Sequence, residues 1–306
     1  MLVNKVTVVI LTYNDFSYIE NAIKSVQIQD YQNIEIIVQD DGSKNFNRDR
    51  IEECFHITEG MPREYKIFTN EVNVGTVKNY NNAIKRATGE IIITLAGDDC
   101  FYDSKVVTRI VKAFEENDMK ICFALRKGMD SKEVYPSKSV IKEFYSLDDN
   151  DKLARIFYSN FISGATLYYS RQFLEEMGGF DERFVLIEDY SIVIQALLKG
   201  IQIHYLDTIT INYNETGVSQ TSDKPKKVNL KFVEDLNNIN KLLMLPNLHR
   251  ISSRRMRRYL KLRYYRKFSN CGKFKKLLMS LIYIDVVIDM KKNNVNSDNR
   301  FKELMK

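Results

Sequence analysis

The sequence has no tryptophan, 4 prolines and 12 glycines in 306 residues. Fibrous repeats and low-complexity linkers need far more glycine and proline, so both are excluded. Cysteine is equally sparse. Cys54, Cys100, Cys122 and Cys271 form no CxxC pair, which argues against a zinc knuckle and against a disulfide framework. Reduced thiols in a cytosolic protein are the plainer reading. No stretch supplies the ~20 consecutive apolar residues that cross a bilayer. The nearest, Leu277 to Met290, is short and carries Asp285 and Asp289. The first residues, Met1-Leu2-Val3-Asn4-Lys5-Val6, run straight into a strand pattern, so no signal peptide is expected. Histidine is also rare, and His56, His204 and His249 are scattered; each reads as structural or solvated.

What remains is the composition of a globular protein, with 44% hydrophobic and 28% charged residues. The net charge of +6 conceals an asymmetry. Residues 224–306 hold 22 Lys and Arg against 6 Asp and Glu, while residues 1–223 hold 24 against 34. The two parts carry +16 and −10, so they face different partners. The shift in charge sets a domain boundary between 223 and 224.

Along the first part, buried-strand patterns alternate with helical ones. Apolar runs at Val6–Leu11, Ile34–Gln39, Tyr65–Thr69, Ile91–Leu95 and Ile121–Leu125 read as strands. Between them, Phe16–Gln29 has Ile19, Ala22, Ile23 and Val26 at helical spacing, with Ser17 as its expected cap. Thr76–Ala87, stopped by Gly89, and Val106–Asn117 read as further helices. Later, Leu153–Tyr158 and Tyr190–Leu198 read as helices, and Ala165–Tyr169, Ile201–Tyr205 and Thr208–Tyr213 as short strands. The alternation predicts an α/β domain with a mostly parallel sheet flanked by helices, followed by a basic helical C-terminal extension. Ligands of such sheets bind at the carboxyl ends of the strands. Thr12-Tyr13-Asn14, Asp40-Asp41 and Asp98-Asp99 all fall at such ends.

Two adjacent carboxylates at a tight turn are costly to bury unpaired, and a hard divalent cation relieves that cost. Asp98-Asp99 is therefore a candidate for Mn2+ or Mg2+ bridging a diphosphate; a solvated turn is the competing reading. Glu188-Asp189 opens a predicted helix. Either its charge complements the helix dipole, or one carboxylate is a general base for an attacking hydroxyl.

In their order and spacing these segments resemble the family 2 glycosyltransferases, nucleotide-sugar-dependent enzymes of GT-A (Rossmann-like) fold. The likeness runs over roughly residues 5–215. It is carried by Val8-Val9-Ile10-Leu11-Thr12-Tyr13-Asn14, Val38-Gln39-Asp40-Asp41-Gly42-Ser43, Asn73-Val74-Gly75-Thr76-Val77-Lys78-Asn79-Tyr80-Asn81, Ala87-Thr88-Gly89-Glu90, Gly97-Asp98-Asp99, Gly178-Gly179-Phe180-Asp181-Glu182 and Glu188-Asp189-Tyr190. The resemblance implies that Thr12, Tyr13 and Asn14 lie at the nucleobase and that Asp41 accepts a hydrogen bond from it. It places Asn73, Gly75, Lys78 and Asn81 in the donor-binding segment. For Asn73, Gly75 and Asn81, turn and capping chemistry weighs equally. Asp98 is implied at the ribose or sugar hydroxyls and at the metal, Asp99 on the metal, and Asp189 as catalytic base with Glu188 beside it. The motif here is Asp-Asp-Cys where the family has Asp-x-Asp, which favours Asp99 as the direct ligand. The processive members carry a Gln-x-x-Arg-Trp motif that a chain without tryptophan cannot have.

Residues Arg250 to Lys267 contain nine Lys and Arg and no acid, with Met256, Leu260, Tyr264 and Phe268 every fourth residue. This reads as a basic amphipathic helix. Packing on the protein and contact of residues 250–290 with an anionic membrane surface are both open; nucleic acid is disfavoured. The expected activity is metal-dependent, inverting transfer of one sugar from a UDP-sugar to a glycan or lipid-linked acceptor. The family context adds bacterial surface polysaccharide synthesis at the cytoplasmic face of the membrane. A non-catalytic nucleotide or nucleic-acid binding protein is the rival reading, and homo-oligomerisation stays open. The sugar and acceptor determinants are expected in loops 126–162 and 214–230.

Overall fold

Strand β1 (Val6–Thr12) lies at the centre of a parallel wing, between β2 (Ile34–Asp40) and β4 (Ile91–Ala96), with β3 (Glu64–Thr69) at the edge. The computed structural model describes residues 4–57, 60, 63–215, 229–269, 271–292 and 297–306. Val6, Val8, Val9, Ile10, Ile36, Ile37, Val38, Ile92 and Ile93 are fully buried, which is why these strands read as continuous apolar runs. Each such side chain contributes roughly 1.5–3 kcal/mol through burial. Helices α1 (Ile19–Gln27), α2 (Arg48–Ile57) and α3 (Thr76–Ile84) make the crossovers, and α4 (Val106–Asn117) follows the short β5 (Cys100–Phe101).

The second half of the sheet is mixed. Its strands are β6 (Ile121–Gly128), β7 (Val134–Tyr135), β8 (Leu167–Ser170) and β9 (Ile203–Tyr213). Among the described residues the order is β3-β2-β1-β4-β8-β6-β9-β5, with β7 on β6. β8 runs antiparallel to both β4 and β6, while β9 is parallel to β6.

The chain divides into two compact units. One comprises Met1–Pro136, Ile162–Ile192 and Ile201–Lys227 and holds the sheet; the other comprises Ser137–Phe161, Val193–Gly200 and Val228–Lys306. Two earlier stretches thus join the C-terminal segment, and the expected 223/224 boundary lies outside the described residues. In the second unit, α5 (Lys138–Tyr145) and α6 (Asp149–Tyr158) accompany the C-terminal helices. Arg155 is buried there; it pairs with Glu143 at 3.0 Å and donates to the carbonyl of Ser159 at 2.8 Å. Helix α7 (Arg171–Met177) belongs to the first unit, and α8 (Glu188–Leu198) is shared between the two.

Several local expectations are corrected. Helix α1 starts at Ile19 without a side-chain cap; Ser17 instead donates its backbone N–H to Asp15 at 2.9 Å. Gly89 does not stop α3, which ends at Ile84. It is glycine because a Cβ would lie 2.3 Å from the Thr7 nitrogen. The two expected final strands are one strand, β9, which follows β6 through two register irregularities. The basic helix spans Arg254–Arg263, and its Met256, Tyr259, Leu260 and Leu262 are buried, so its apolar residues pack within its own unit.

Candidate active site

The parallel register brings the three polar clusters to one edge. Thr12 pairs with Asp40 and Leu11 with Ala96, while the Asp41 N–H donates to the Thr12 carbonyl at 3.0 Å and the Gly97 N–H to the Leu11 carbonyl at 2.8 Å. Asp40 is fully buried and accepts from Thr12 Oγ1, Thr69 Oγ1, Ser43 Oγ and the Ser43 N–H. Ser43 Oγ in turn accepts the Asn14 N–H at 2.7 Å, and Asn14 adopts a left-handed φ of 59°. That leaves Tyr13 50% exposed at the rim.

Asp41 is buried and already saturated. Its carboxylate accepts from Asn70 Nδ2 (3.0 Å), Asn73 Nδ2 (2.8 Å), the Val74 N–H (2.9 Å) and the Gly75 N–H (2.9 Å). These four hydrogen bonds let Asp41 organise loop 70–75. Gly75 has φ +90°, and a Cβ on it would lie 2.4 Å from Val185 Cγ1. The Val77 N–H donates to the Val185 carbonyl at 3.1 Å, so the start of α3 holds the segment leading to Glu188. Asn81 is used up in the same way. It donates to the Phe180 carbonyl (2.8 Å) and Glu182 (3.0 Å) and accepts the Phe180 N–H (2.8 Å). Lys78 is exposed and has no ion-pair partner among the described residues. Of the expected donor-binding residues, Tyr13, Asn14, Asn73, Lys78 and Asp98 reach solvent, whereas Thr12, Asp41, Gly75 and Asn81 are buried.

Asp98 is half-buried; burial pushes its carboxyl pKa up, and the charge of Asp15 adds to that. Asp99 is only 2% exposed and is pushed up to about 7, first by burial. The Asn214 N–H, donated at 2.7 Å, and the charge of Arg126 oppose the shift, while Asp98 reinforces it. A buried carboxylate that accepts a single hydrogen bond among the described residues suits a cation. Among the described residues no group of three or more His, Cys, Asp or Glu gathers around a metal position. The half-buried Asp98 and buried Asp99 carboxylates fit an ion held by one or two carboxylates, with the remaining ligands from substrate phosphates and water.

Asp189 stands in the first turn of α8. Its Oδ1 accepts the Tyr190 N–H at 2.7 Å and its Oδ2 the Gly164 N–H at 3.1 Å. Burial pushes its pKa up, against those two hydrogen bonds. Tyr80, on α3, connects the clusters. Its phenol is buried, and its pKa is pushed well above 10, first by burial and then by the charges of Glu188, Asp99 and Asp189. Tyr169 is raised by burial and by Glu188 and Asp189 in the same way. The carboxylates after β4 and at the start of α8 thus share one neighbourhood.

Three contributors escaped the sequence pattern, Gly164, Asn214 and Arg126, and Tyr80 stood in a quoted segment with no role attached. The Arg126 guanidinium lies 3.6 Å from the ring centroid of Tyr213 and 5.0 Å from that of Tyr135. Its buried Nε makes no hydrogen bond among the described residues. A lone Arg at the end of a strand gives no periodic signal; only its approach to Asp99 marks it.

The fold matches that of Staphylococcus aureus TarS in complex with UDP-GlcNAc, with a TM-score of 0.63 at 19% identity over 92% of this chain and 81% of that one. The sheet and the helices that flank it are those of the GT-A fold. The profile "Glycosyl transferase family 2" matches residues 7–178, more than half of the sequence, so the chain belongs to glycosyl transferase family 2. An uncharacterised glycosyltransferase of Nostoc sp. is 36% identical over 116 residues, 38% of this chain; the match spans only 34% of that relative's length. The GalNAc(5)-diNAcBac-PP-undecaprenol beta-1,3-glucosyltransferase of Campylobacter jejuni is 28% identical over 68% of this chain and 67% of its own. No helix among the described residues is long and apolar enough to cross a membrane.

Proposed function

We propose that the chain transfers one sugar from a UDP-sugar to a glycan or lipid-linked saccharide, with inversion, in the synthesis of a bacterial surface polysaccharide. The observation that carries this reading is the match to glycosyl transferase family 2 together with the strand-end placement of Asp98 and Asp99; the charges of Glu188, Asp99 and Asp189 all act on the buried Tyr80. Asp189 accepts the proton of the attacking acceptor hydroxyl. The hydroxyl oxygen bonds to the anomeric carbon as the bond from that carbon to the diphosphate oxygen breaks, and UDP leaves. The raised pKa of Asp189 makes it a stronger base than an exposed aspartate. Glu188 lies beside it and adds negative charge to the same pocket.

Asp98 and Asp99 would hold Mn2+ or Mg2+, which would neutralise charge on the departing diphosphate. Tyr13 stacks against the base at the rim, with Asn14 and Asn73 close by, and Lys78 faces the phosphates. Thr12, Asp41, Gly75 and Asn81 act by shaping the walls. The UDP-GlcNAc complex of TarS and the undecaprenol-linked acceptor in the Campylobacter relative's name support a UDP donor and a lipid-linked acceptor. Such an acceptor implies work at the cytoplasmic face of a membrane. Of the loops expected to select sugar and acceptor, residues 216–228 lie outside the described residues.

A screen of nucleotide-sugars for UDP release with Mn2+ tests this reading. Asp189→Asn should keep UDP binding and lose transfer. A protein with no turnover on any nucleotide-sugar is instead a binding protein.

A further inference from the structure

The helix Lys273–Ile282 is amphipathic, yet it is packed the wrong way round. None of its ten residues is buried. The side turned towards the protein carries the half-buried Lys276, Met279 and Ser280, followed by the buried Tyr283. The opposite side presents Phe274 (80% exposed), Leu277 (61%), Leu278, Leu281 (60%) and Ile282. Positions 274, 277, 278 and 281 fall on one helical stripe. The next helix, Ile284–Lys292, continues it with exposed Ile284 and Ile288. A ten-residue helix is marginal in water by itself, and a surface helix ordinarily turns its apolar stripe inward.

Charge names the occupant. Lys273 and Lys275 lie on either side of the stripe, and from Arg250 to Ile288 there are 12 Lys and Arg against one acid, Asp285, which is paired with Arg258. Apolar side chains facing outward between lysines are what a bilayer interface accepts: the stripe enters the acyl boundary and the lysines reach anionic headgroups. A partner protein with an acidic apolar groove would need the stripe too, but would not require flanking lysines on both sides of it. The neighbouring basic helix, Arg254–Arg263, is not the membrane element, because its apolar residues are buried and several of its arginines are engaged. Arg258 pairs with Asp285 at 2.6 Å, and Arg257 donates to the Ile251 carbonyl at 2.6 Å.

We infer that Lys273–Ile282, continued by Ile284 and Ile288, lies in the plane of an anionic membrane surface with its apolar stripe inserted. This deepens the lipid-linked acceptor reading. Its test needs neither donor nor acceptor, so failure of one leaves the other standing.

The full chain is mixed with phosphatidylcholine vesicles with and without phosphatidylglycerol, and binding is read by sedimentation. Because the chain has no tryptophan, Leu277→Trp introduces a single reporter at the centre of the stripe. Binding is expected to anionic vesicles, with a blue shift of that tryptophan and quenching by brominated lipid. The double variant Phe274→Glu with Leu281→Glu should bind at least about tenfold more weakly. Its thermal unfolding should be unchanged, since neither side chain is buried. Replacing Lys273, Lys275 and Lys276 by Gln should weaken binding to anionic vesicles and flatten its salt dependence. Wild-type protein that ignores anionic vesicles overturns the proposal, as does equal binding by the glutamate variant. A lipid-free dimer that the glutamate variant converts to monomer overturns it in favour of self-association.

Discussion

The backbone N–H of Gly164 donates to Asp189 Oδ2 at 3.1 Å, and a Cβ at position 164 would lie 3.0 Å from Asp189 Cβ. The 3-10 turn that precedes β8 therefore both orients the candidate base and limits the space around it. Gly164→Ala should leave the fold intact and displace the carboxylate by a few tenths of an ångström. Because reaction rates fall steeply with misplacement of a reacting group, kcat should drop about tenfold or more while UDP affinity holds. Steady-state kinetics beside a UDP titration separate the two quantities.

Glu35 sits at the opposite, amino edge of the sheet, fully buried. It accepts from Thr7 Oγ1 at 2.8 Å, the Thr88 N–H at 2.8 Å, Thr88 Oγ1 at 2.7 Å and Lys66 Nζ at 2.9 Å. Burial raises its pKa, but Lys66 and the Thr88 and Thr7 hydrogen bonds outweigh burial and pull it from 4.5 to about 2. A depressed carboxyl pKa stabilises the fold above the unfolded-state value and ceases to do so as pH falls through the folded one. The contribution, about 3 kcal/mol, should be complete above pH 4.5 and lost between pH 4.5 and about 2. Urea titrations at stepped pH should show this loss in the wild type. Glu35→Gln should lack that acid-dependent component and be less stable throughout the neutral range.

Asn81 distinguishes scaffold from donor contact. Its amide makes three hydrogen bonds to Phe180 and Glu182. Asn81→Ala leaves buried polar groups unpaired and should cost roughly 2 kcal/mol of stability. Below the unfolding transition, UDP affinity should stay within about threefold of wild type. A loss of UDP affinity without loss of stability would return Asn81 to the donor site.

Arg126 should matter through charge and shape together. Arg126→Ala removes the cation that favours ionised Asp99, and transfer should fall by about two orders of magnitude. Arg126→Lys restores charge without the guanidinium that lies over the Tyr213 and Tyr135 rings, and should recover only part of the loss. Comparison of kcat/KM for the three proteins checks the order.

Much of the parallel wing was legible because the information is local. Ile91–Ala96 is apolar but for Thr94, and Ile34–Asp40 sets Ile34, Ile36, Ile37 and Val38 around Glu35; both lead into carboxylates, and burial on both faces favours that composition. Helix α2 escaped notice because only Ile51, Cys54 and Phe55 are buried along its ten residues. The insertion of β8 between β4 and β6 left no local trace, since strand order depends on which edges meet.

By itself, then, the sequence determined the strand–helix alternation, the acids at the strand ends and the unequal charge of residues 1–223 and 224–306, all properties of neighbouring residues. Tertiary structure alone decided what those acids do. Asp41 is saturated by donors up to 34 residues away, and Asn81 is clamped to a turn 99 residues on. It also decided which basic helix is buried and which is bare, because identical amphipathic spacing serves either a core or a membrane until packing shows which face is already covered.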